Sequence, residues 1–195
     1  GDGVVIINGS NMALKCSVST LVIGNSSGIG ISIVSKENDT IINCNFQNYS
    51  SAILIENSIS NRINNCKLSN STYGLLVENS TSNIINLSRF LGNSIRIFIS
   101  NSSANTIEKN IISNSSDSGI VLGNSGILTD IKNNTVTDNG NFGIADFSAI
   151  GSIGIYNNSI LSNLNAGIYS NSSSLFVYKN KIGNSHYGIL LNKSS

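Results

Sequence analysis

Apolar residues along this chain fall in short alternations of period two rather than in long helical runs. Six blocks open with a small residue or Arg and continue with aliphatics: Ala52-Ile-Leu-Ile, Gly74-Leu-Leu-Val, Arg96-Ile-Phe-Ile, Gly119-Ile-Val-Leu, Gly167-Ile-Tyr-Ser and Gly188-Ile-Leu-Leu. Gly30-Ile-Ser-Ile and Gly143-Ile-Ala-Asp extend the series, and successive starts lie 22, 22, 22, 23, 24, 24 and 21 residues apart. Each block carries a second signature around a small polar residue: Cys16, Cys44, Cys66, Ser88, Asn110, Asn134, Asn158 and Asn180. Three residues before it stand Ala13, Ile41, Ile63, Ile85, Ile107, Ile131, Ile155 and Val177. Two after it stand Val18, Phe46, Leu68, Phe90, Ile112, Val136, Ile160 and Ile182.

Alternations of this kind, rich in Ile and Val and punctuated by Asn, Ser and Gly, predict short strands. A fixed period of about 22 residues makes each repeat one coil of a solenoid, with coils stacked at the interstrand spacing of ~4.8 Å. The expected fold is all-β: a right-handed parallel β-helix of about eight coils, 21–24 residues each, forming a single domain over residues 1–195, complete or cut from a longer array. Equivalent positions then form ladders. One runs Ile31, Ile53, Leu75, Ile97, Ile120, Ile144, Ile168, Ile189, and a second runs Ile33, Ile55, Val77, Ile99, Leu122. From Cys16 to Cys44 is 28 residues, so Thr20-Leu-Val-Ile-Gly24 with Asn25-Ser-Ser-Gly28 reads as an insertion that lengthens the first coil.

Composition narrows the function classes. The chain holds 33 Asn, 36 Ser and 31 Ile in 195 residues, with no Pro or Trp, 11% charged residues and a net charge of +1. Near-neutrality opposes nucleic acid and polybasic membrane-surface binding. No apolar run approaches the ~18 residues of a spanning helix. The opening Gly1-Asp-Gly-Val-Val reads as that of a mature or trimmed product.

Repeats such as Ile131-Lys-Asn-Asn-Thr-Val136 followed by Gly143-Ile, and Ile155-Tyr-Asn-Asn-Ser-Ile160 followed by Gly167-Ile, resemble those of the NosD-like, carbohydrate-binding and sugar-hydrolase β-helix superfamily. Asn- and Ile-rich versions also resemble archaeal adhesin-like surface proteins. The resemblance covers roughly residues 4 to 191 and implies fold far more than function, since such β-helices carry many activities. Copper handling, which it would also imply, calls for Met, His and Cys. The single Met12 and single His186 stand at opposite ends of the chain, so no metal or cofactor is expected.

The ladder from Cys16 to Asn180 reads as an inward structural stack in which each amide bonds the next coil. For Cys16, Cys44 and Cys66, parallel side chains favour a reduced stack, with one disulfide as the alternative. Glu56 and Glu78 stack as adjacent carboxylates, but the column continues with Ser100 and Gly123 and gathers no third acid, so no catalytic residue is assigned. Lys67 and Arg89 stack as a solvated face. Asp146 falls where the second ladder expects an aliphatic; a bulge turning it outward and Phe147 inward would avoid burying a charge. Thirteen Asn-x-Ser/Thr sequons, more than composition alone would produce, are candidate N-glycosylation sites: Asn8, Asn25, Asn38, Asn48, Asn70, Asn79, Asn86, Asn101, Asn114, Asn133, Asn157, Asn171 and Asn192. Asn133 and Asn157 immediately precede ladder residues, as outward neighbours of inward ones would.

The expected function is that of an extracellular, cell-surface structural protein, a subunit of a surface layer, sheath or filament. Self-association, head-to-tail or lateral, would follow from unpaired strand edges at the ends of the solenoid, near Val4 and Gly188. One alternative is a glycan-binding adhesin module, for which Tyr156 and Tyr178 in adjacent coils form the qualifying aromatic pair. A second is a β-helix enzyme of the polysaccharide lyase or hydrolase type.

Overall fold

A computed structural model describes residues 5–17, 20–124, 127–147, 152–171 and 174–192. Val4 and Val18, expected in strands, lie outside the described residues. The chain is a parallel β-helix of about eight turns, with 25 strands and no helix among the described residues. Every third strand joins the same sheet. One sheet has nine strands, from Val5–Ile7 to Tyr187–Leu191; a second has eight, from Ala13–Lys15 to Leu175–Tyr178; a third has eight, from Leu21–Ile23 to Lys181–Gly183. All pairings are parallel, and those along the first sheet carry Ile31, Ile53, Leu75, Ile97, Ile120, Ile144, Ile168 and Ile189 in one unbroken column. From Ile31 to Ile168 these residues are fully buried.

The irregular first coil is placed differently from its reading in the sequence. Leu14, not Ala13, stands beside Ile41, and Val22, not Val18, stands beside Phe46. Leu21–Ile23 is therefore the ordinary third strand of that coil, and the extra length is split, most of it before Leu21 and two residues in the turn between Ile23 and Ile29. Cys16 and Cys44 form a disulfide with Cα atoms 4.9 Å apart, which corrects the expected reduced stack. Stacked Cα atoms at that distance lie inside bridging range. Closing a loop with a sequence separation of 28 contributes about 3–4 kcal/mol by the chain-entropy account. Cys66 stays a buried free thiol, its pKa pushed up to about 11 by desolvation.

The abundance of Asn has a backbone cause. Asn43, Asn65, Asn133 and Asn157 turn the chain from the second sheet into the third with φ between 50° and 61°, and Asn48, Asn70 and Asn114 do the same after the third sheet. Left-handed φ is costly for most L-residues and mild for Asn, whose short amide bonds locally. The residue after each corner points inward. Four polar ladders result, where the sequence showed one. Besides the column from Cys44 to Asn180, the interior holds Asp39–Asn61–Asn83–Asn105, Ser58–Ser80–Ser102, and Tyr49–Ser71–Asn93–Ser115–Asn139–Asn163. In each, a side-chain oxygen accepts the backbone N–H of the equivalent residue one coil earlier, as Asn134 Oδ1 does from Asn110 at 2.9 Å and Asn83 Oδ1 from Asn61 at 2.9 Å.

Corner geometry also explains the sequons. Eight of the sequon asparagines, Asn38, Asn48, Asn70, Asn79, Asn101, Asn114, Asn133 and Asn157, are corner residues with positive φ. The motif is thus corner Asn, inward ladder residue, then the Ser or Thr that follows. Asn86 departs from the expected accessibility: it is 6% exposed, its amide held between the Ile63 carbonyl at 3.2 Å and Arg62 Nη1 at 3.1 Å.

Two charged side chains lie in the interior, and one of them, Asp146, departs from expectation. Asp146 faces inward, fully buried in register with Leu122 and Ser170, and Phe147 is 42% exposed. No bulge turns the strand; Ser170 Oγ donates to Asp146 Oδ2 at 2.9 Å and so satisfies the carboxylate from the next coil. Arg96 is fully buried, its guanidinium donating to the carbonyls of Asn93 and Ser113, and desolvation lowers its pKa to about 9.

Asp39 yields a stability prediction. It is fully buried in a column of asparagines; Oδ1 accepts from Met12 N–H at 2.8 Å, and Oδ2 has no partner among the described residues. In the next coil Asn61 uses Nδ2 to reach Asn83 Oδ1 at 3.2 Å, a bond a carboxylate cannot donate. Asp39→Asn should therefore stabilise the protein by roughly 1–3 kcal/mol. Urea unfolding at neutral pH checks this; an unchanged or lower midpoint would refute it.

Candidate functional site

The outer face of the second sheet gathers aromatic, acidic and basic side chains on adjacent coils. Ile107, Ile131 and Ile155 point inward, so residues on either side of each point outward by strand alternation. Two outward columns follow from the register: Thr106, Asp130, Gly154, Phe176, and beside it Glu108, Lys132, Tyr156, Tyr178. Leu128, Asp130, Ser152, Gly154, Tyr156, Phe176 and Tyr178 line a groove of about 460 Å³, within the range of small-ligand sites.

Its aromatic wall comes from Tyr156 and Tyr178, whose rings stack with centroids 4.8 Å apart and planes 6° from parallel. Directly stacked coils impose that spacing. Phe176 adds an aromatic ring that is 61% exposed. Leu128 occupies the corner held in earlier coils by Ser60, Ser82 and Ala104, at φ 61°, and stands 70% exposed where the strand register shifts. Bulges and left-handed backbone at a bulky residue commonly re-aim a side chain toward a site.

The polar wall centres on Asp130. Tyr156 donates its hydroxyl to Asp130 Oδ2 at 3.1 Å. Lys132 Nζ lies 4.0 Å from Asp130 and 3.9 Å from Glu108, and 5.9 Å from the centre of the Tyr156 ring. Local burial, followed by the hydrogen bond to Asp130, raises the pKa of Tyr156 above its ordinary value. Its phenol is thus a neutral donor at physiological pH rather than a phenolate base. Together these groups offer apolar ring faces flanked by hydrogen-bond acceptors and one shared ammonium.

Sequence reasoning found the Tyr156–Tyr178 pair but missed Asp130 and Phe176, because Gly154 interrupts their column. The other singled-out residues lie elsewhere. Glu56 and Glu78 are in register on the first sheet, where Ser100 Oγ donates to Glu78 at 3.4 Å. Lys67 and Arg89 stack, exposed, on the third sheet. His186 makes an edge-on contact with Tyr187 in the last coil, a full solenoid away from Met12. Among the described residues no three of His, Cys, Asp and Glu gather as metal ligands. Of the sequon asparagines, Asn8, Asn25, Asn38, Asn70, Asn79, Asn101, Asn114, Asn133, Asn157 and Asn192 are exposed, while Asn48 and Asn171 are half-buried.

Comparison with known proteins finds the same fold in solved structures. The chain is similar to a variant of the periplasmic alginate epimerase AlgG, with 19% identity over 85% of this chain and 43% of that one, at a TM-score of 0.76. It thus spans less than half of that enzyme's length, and at this identity the likeness concerns the fold. More distant likenesses are the catalytic domain of a GH87 alpha-1,3-glucanase in complex with tetrasaccharides (13% identity, 96% of this chain, 55% of that one, TM-score 0.47) and the A-module of the Azotobacter vinelandii mannuronan C-5 epimerase AlgE6 (12%, 92%, 58%, 0.40). No curated protein matches the chain. Residues 1–173 match the model of the family described as periplasmic copper-binding protein (NosD), and the chain belongs to that family.

Proposed function

We propose that this chain is an exported, carbohydrate-handling β-helix that holds a polysaccharide in the groove between Tyr156, Tyr178, Phe176 and Asp130. The observation that carries the reading is the juxtaposition of stacked, exposed aromatic rings with a carboxylate in one groove on a straight face. A polymer laid along the solenoid axis passes an equivalent position every ~4.8 Å, so repeating sugars meet repeating side chains. The apolar face of a sugar ring packs on aromatic rings, and carboxylates accept hydroxyl hydrogens. Export is supported by the Cys16–Cys44 bridge, which suits an oxidising compartment, and by the family's periplasmic description. A surface-layer, sheath or filament role gains no support from the comparisons, which lie with carbohydrate-active β-helices.

Copper is named in the family description, but the donors here do not fit it. Met12 and His186 lie at opposite ends of the solenoid, two cysteines are bridged, and Cys66 is a buried thiol with a raised pKa. Soft copper ligands must converge to bind.

Calorimetric titration with soluble polysaccharides tests the reading. Tyr178→Ala and Phe176→Ala should each weaken binding tenfold or more, a loss of about 1.4 kcal/mol, with the melting temperature little changed. Unaltered affinity in both variants would refute this site.

A second reading, catalysis on the bound polysaccharide, rests on Asp130 and Glu108 sharing Lys132. Release of reducing ends by the wild type, abolished by Asp130→Asn or Glu108→Gln, would support it.

A further inference from the structure

Along the outward column of the second sheet, Thr40, Arg62, Ile84, Thr106 and Asp130 each fill their place with a side chain. Gly154 then leaves a gap, and Phe176 follows in the next coil. The gap is in use. A Cβ at position 154 would stand 2.6 Å from Asp130 Oδ1 and 3.3 Å from the Tyr156 ring, so the carboxylate leans into the space that glycine leaves. Asp130 and Phe176 are two coils apart, about 10 Å at the interstrand spacing. Between them Gly154 contributes no side chain, so the Asp130 carboxylate reaches over its backbone from one end and the exposed Phe176 ring bounds the other.

The charge of this notch is one-sided. Among the described residues lining the groove, Asp130 is the one side chain of the Asp, Glu, Lys, Arg and His types. The adjacent ammonium, Lys132, is already shared by Asp130 and Glu108. Lys179 is exposed at a nearby corner but does not line the groove. A ligand carboxylate or sulfate entering the notch would meet Asp130 with no cation in the described lining to offset it, whereas vicinal hydroxyls would find an acceptor there.

Building on the carbohydrate reading, we infer that the notch over Gly154 is a single-sugar subsite that selects a neutral hexopyranosyl unit and rejects uronates and sulfated sugars. Gly154 opens the subsite, Phe176 supplies the platform and Asp130 sets the selectivity.

The test compares neutral polysaccharides (soluble glucan, mannan and galactan) with acidic ones (polygalacturonate, alginate and a sulfated galactan) by calorimetric titration at low ionic strength. Wild-type protein should bind at least one neutral polymer tenfold or more tighter than any acidic one. Gly154→Thr should lose that binding by tenfold or more while keeping its melting temperature, since Thr40 and Thr106 already occupy this column; Gly154→Ala serves as the milder second variant. Asp130→Asn should narrow the gap between neutral and acidic ligands. Equal or tighter binding of acidic polymers by the wild type, or full affinity in both Gly154 variants, overturns the subsite and leaves the carbohydrate reading standing. Failure to bind either class overturns the carbohydrate reading itself.

Discussion

Ile112→Asp is expected to leave the chain unfolded, while Ile111→Asp, one residue earlier, should melt cooperatively within a few degrees of the wild type. Ile112 is fully buried in the third sheet between Phe90 and Val136, and Ile111 is 38% exposed between Arg89 and Thr135. The two differ by one step of strand alternation and by nothing else in composition. An aspartate at 112 would strip several methylenes from the core and set an ionised group in a dry interior without a partner, a cost of several kcal/mol. Domains of this size are stable by only about 5–15 kcal/mol. Each coil touches only its neighbours, so a breach at mid-stack separates the two halves instead of being absorbed. At position 111 the new carboxylate would be half-exposed beside Arg89. Circular dichroism with thermal melting separates these outcomes, and a native-like melt for Ile112→Asp would refute the assigned register.

Much of the fold was legible because a solenoid repeats its evidence. Eight aliphatics from Ile31 to Ile189 recur every 21–24 residues, and the observed column contains each of them. Where repetition failed, legibility failed too. The first coil has no earlier coil to set its phase, so Ala13 and Val18 were aligned where Leu14 and Val22 belong. Asp146 was turned outward on the cost of an unpaired buried charge, although the partner was visible: Ser170 is its equivalent one coil later, and it supplies the hydrogen bond. In a stack the neighbouring coil is the relevant environment, and single-coil reasoning omits it.

The groove was half legible for the same reason. Tyr156 and Tyr178 repeat, so they stood out; Asp130, Gly154 and Phe176 form a column only once the register is known. The three additional ladders were hidden because Ser and Asn are also common at exposed positions. What distinguishes them is the preceding corner, as Asn79 at φ 48° places Ser80 inward and Asn101 at φ 47° places Ser102 inward. A corner followed by an inward residue is the backbone setting of eight of the thirteen Asn-x-Ser/Thr motifs.

The interior of this solenoid should tolerate loss of apolar area less badly than loss of a ladder amide, and Asn134 measures the difference. Its Oδ1 accepts from the Asn110 backbone N–H at 2.9 Å and from Asn110 Nδ2 at 3.1 Å, and its Nδ2 donates to the Ile107 carbonyl at 2.9 Å and to Asn158 Oδ1 at 3.0 Å. Asn134→Leu keeps the branched shape with larger methyl ends and adds apolar surface, yet leaves a buried N–H and a buried carbonyl without these partners. Each orphaned group costs about 1–3 kcal/mol, so the variant should lose roughly 3–5 kcal/mol. Asn134→Ser loses the amide but retains an acceptor in the manner of Ser88, whose Oγ receives the Cys66 N–H at 3.1 Å, and should cost less than the leucine despite the smaller side chain. Asn133→Gly, at the left-handed corner beside it, should be close to neutral because glycine adopts φ near 57° freely. Urea unfolding of the three variants gives the order directly. If leucine proved milder than serine, apolar burial rather than the polar ladder would be what holds successive coils together.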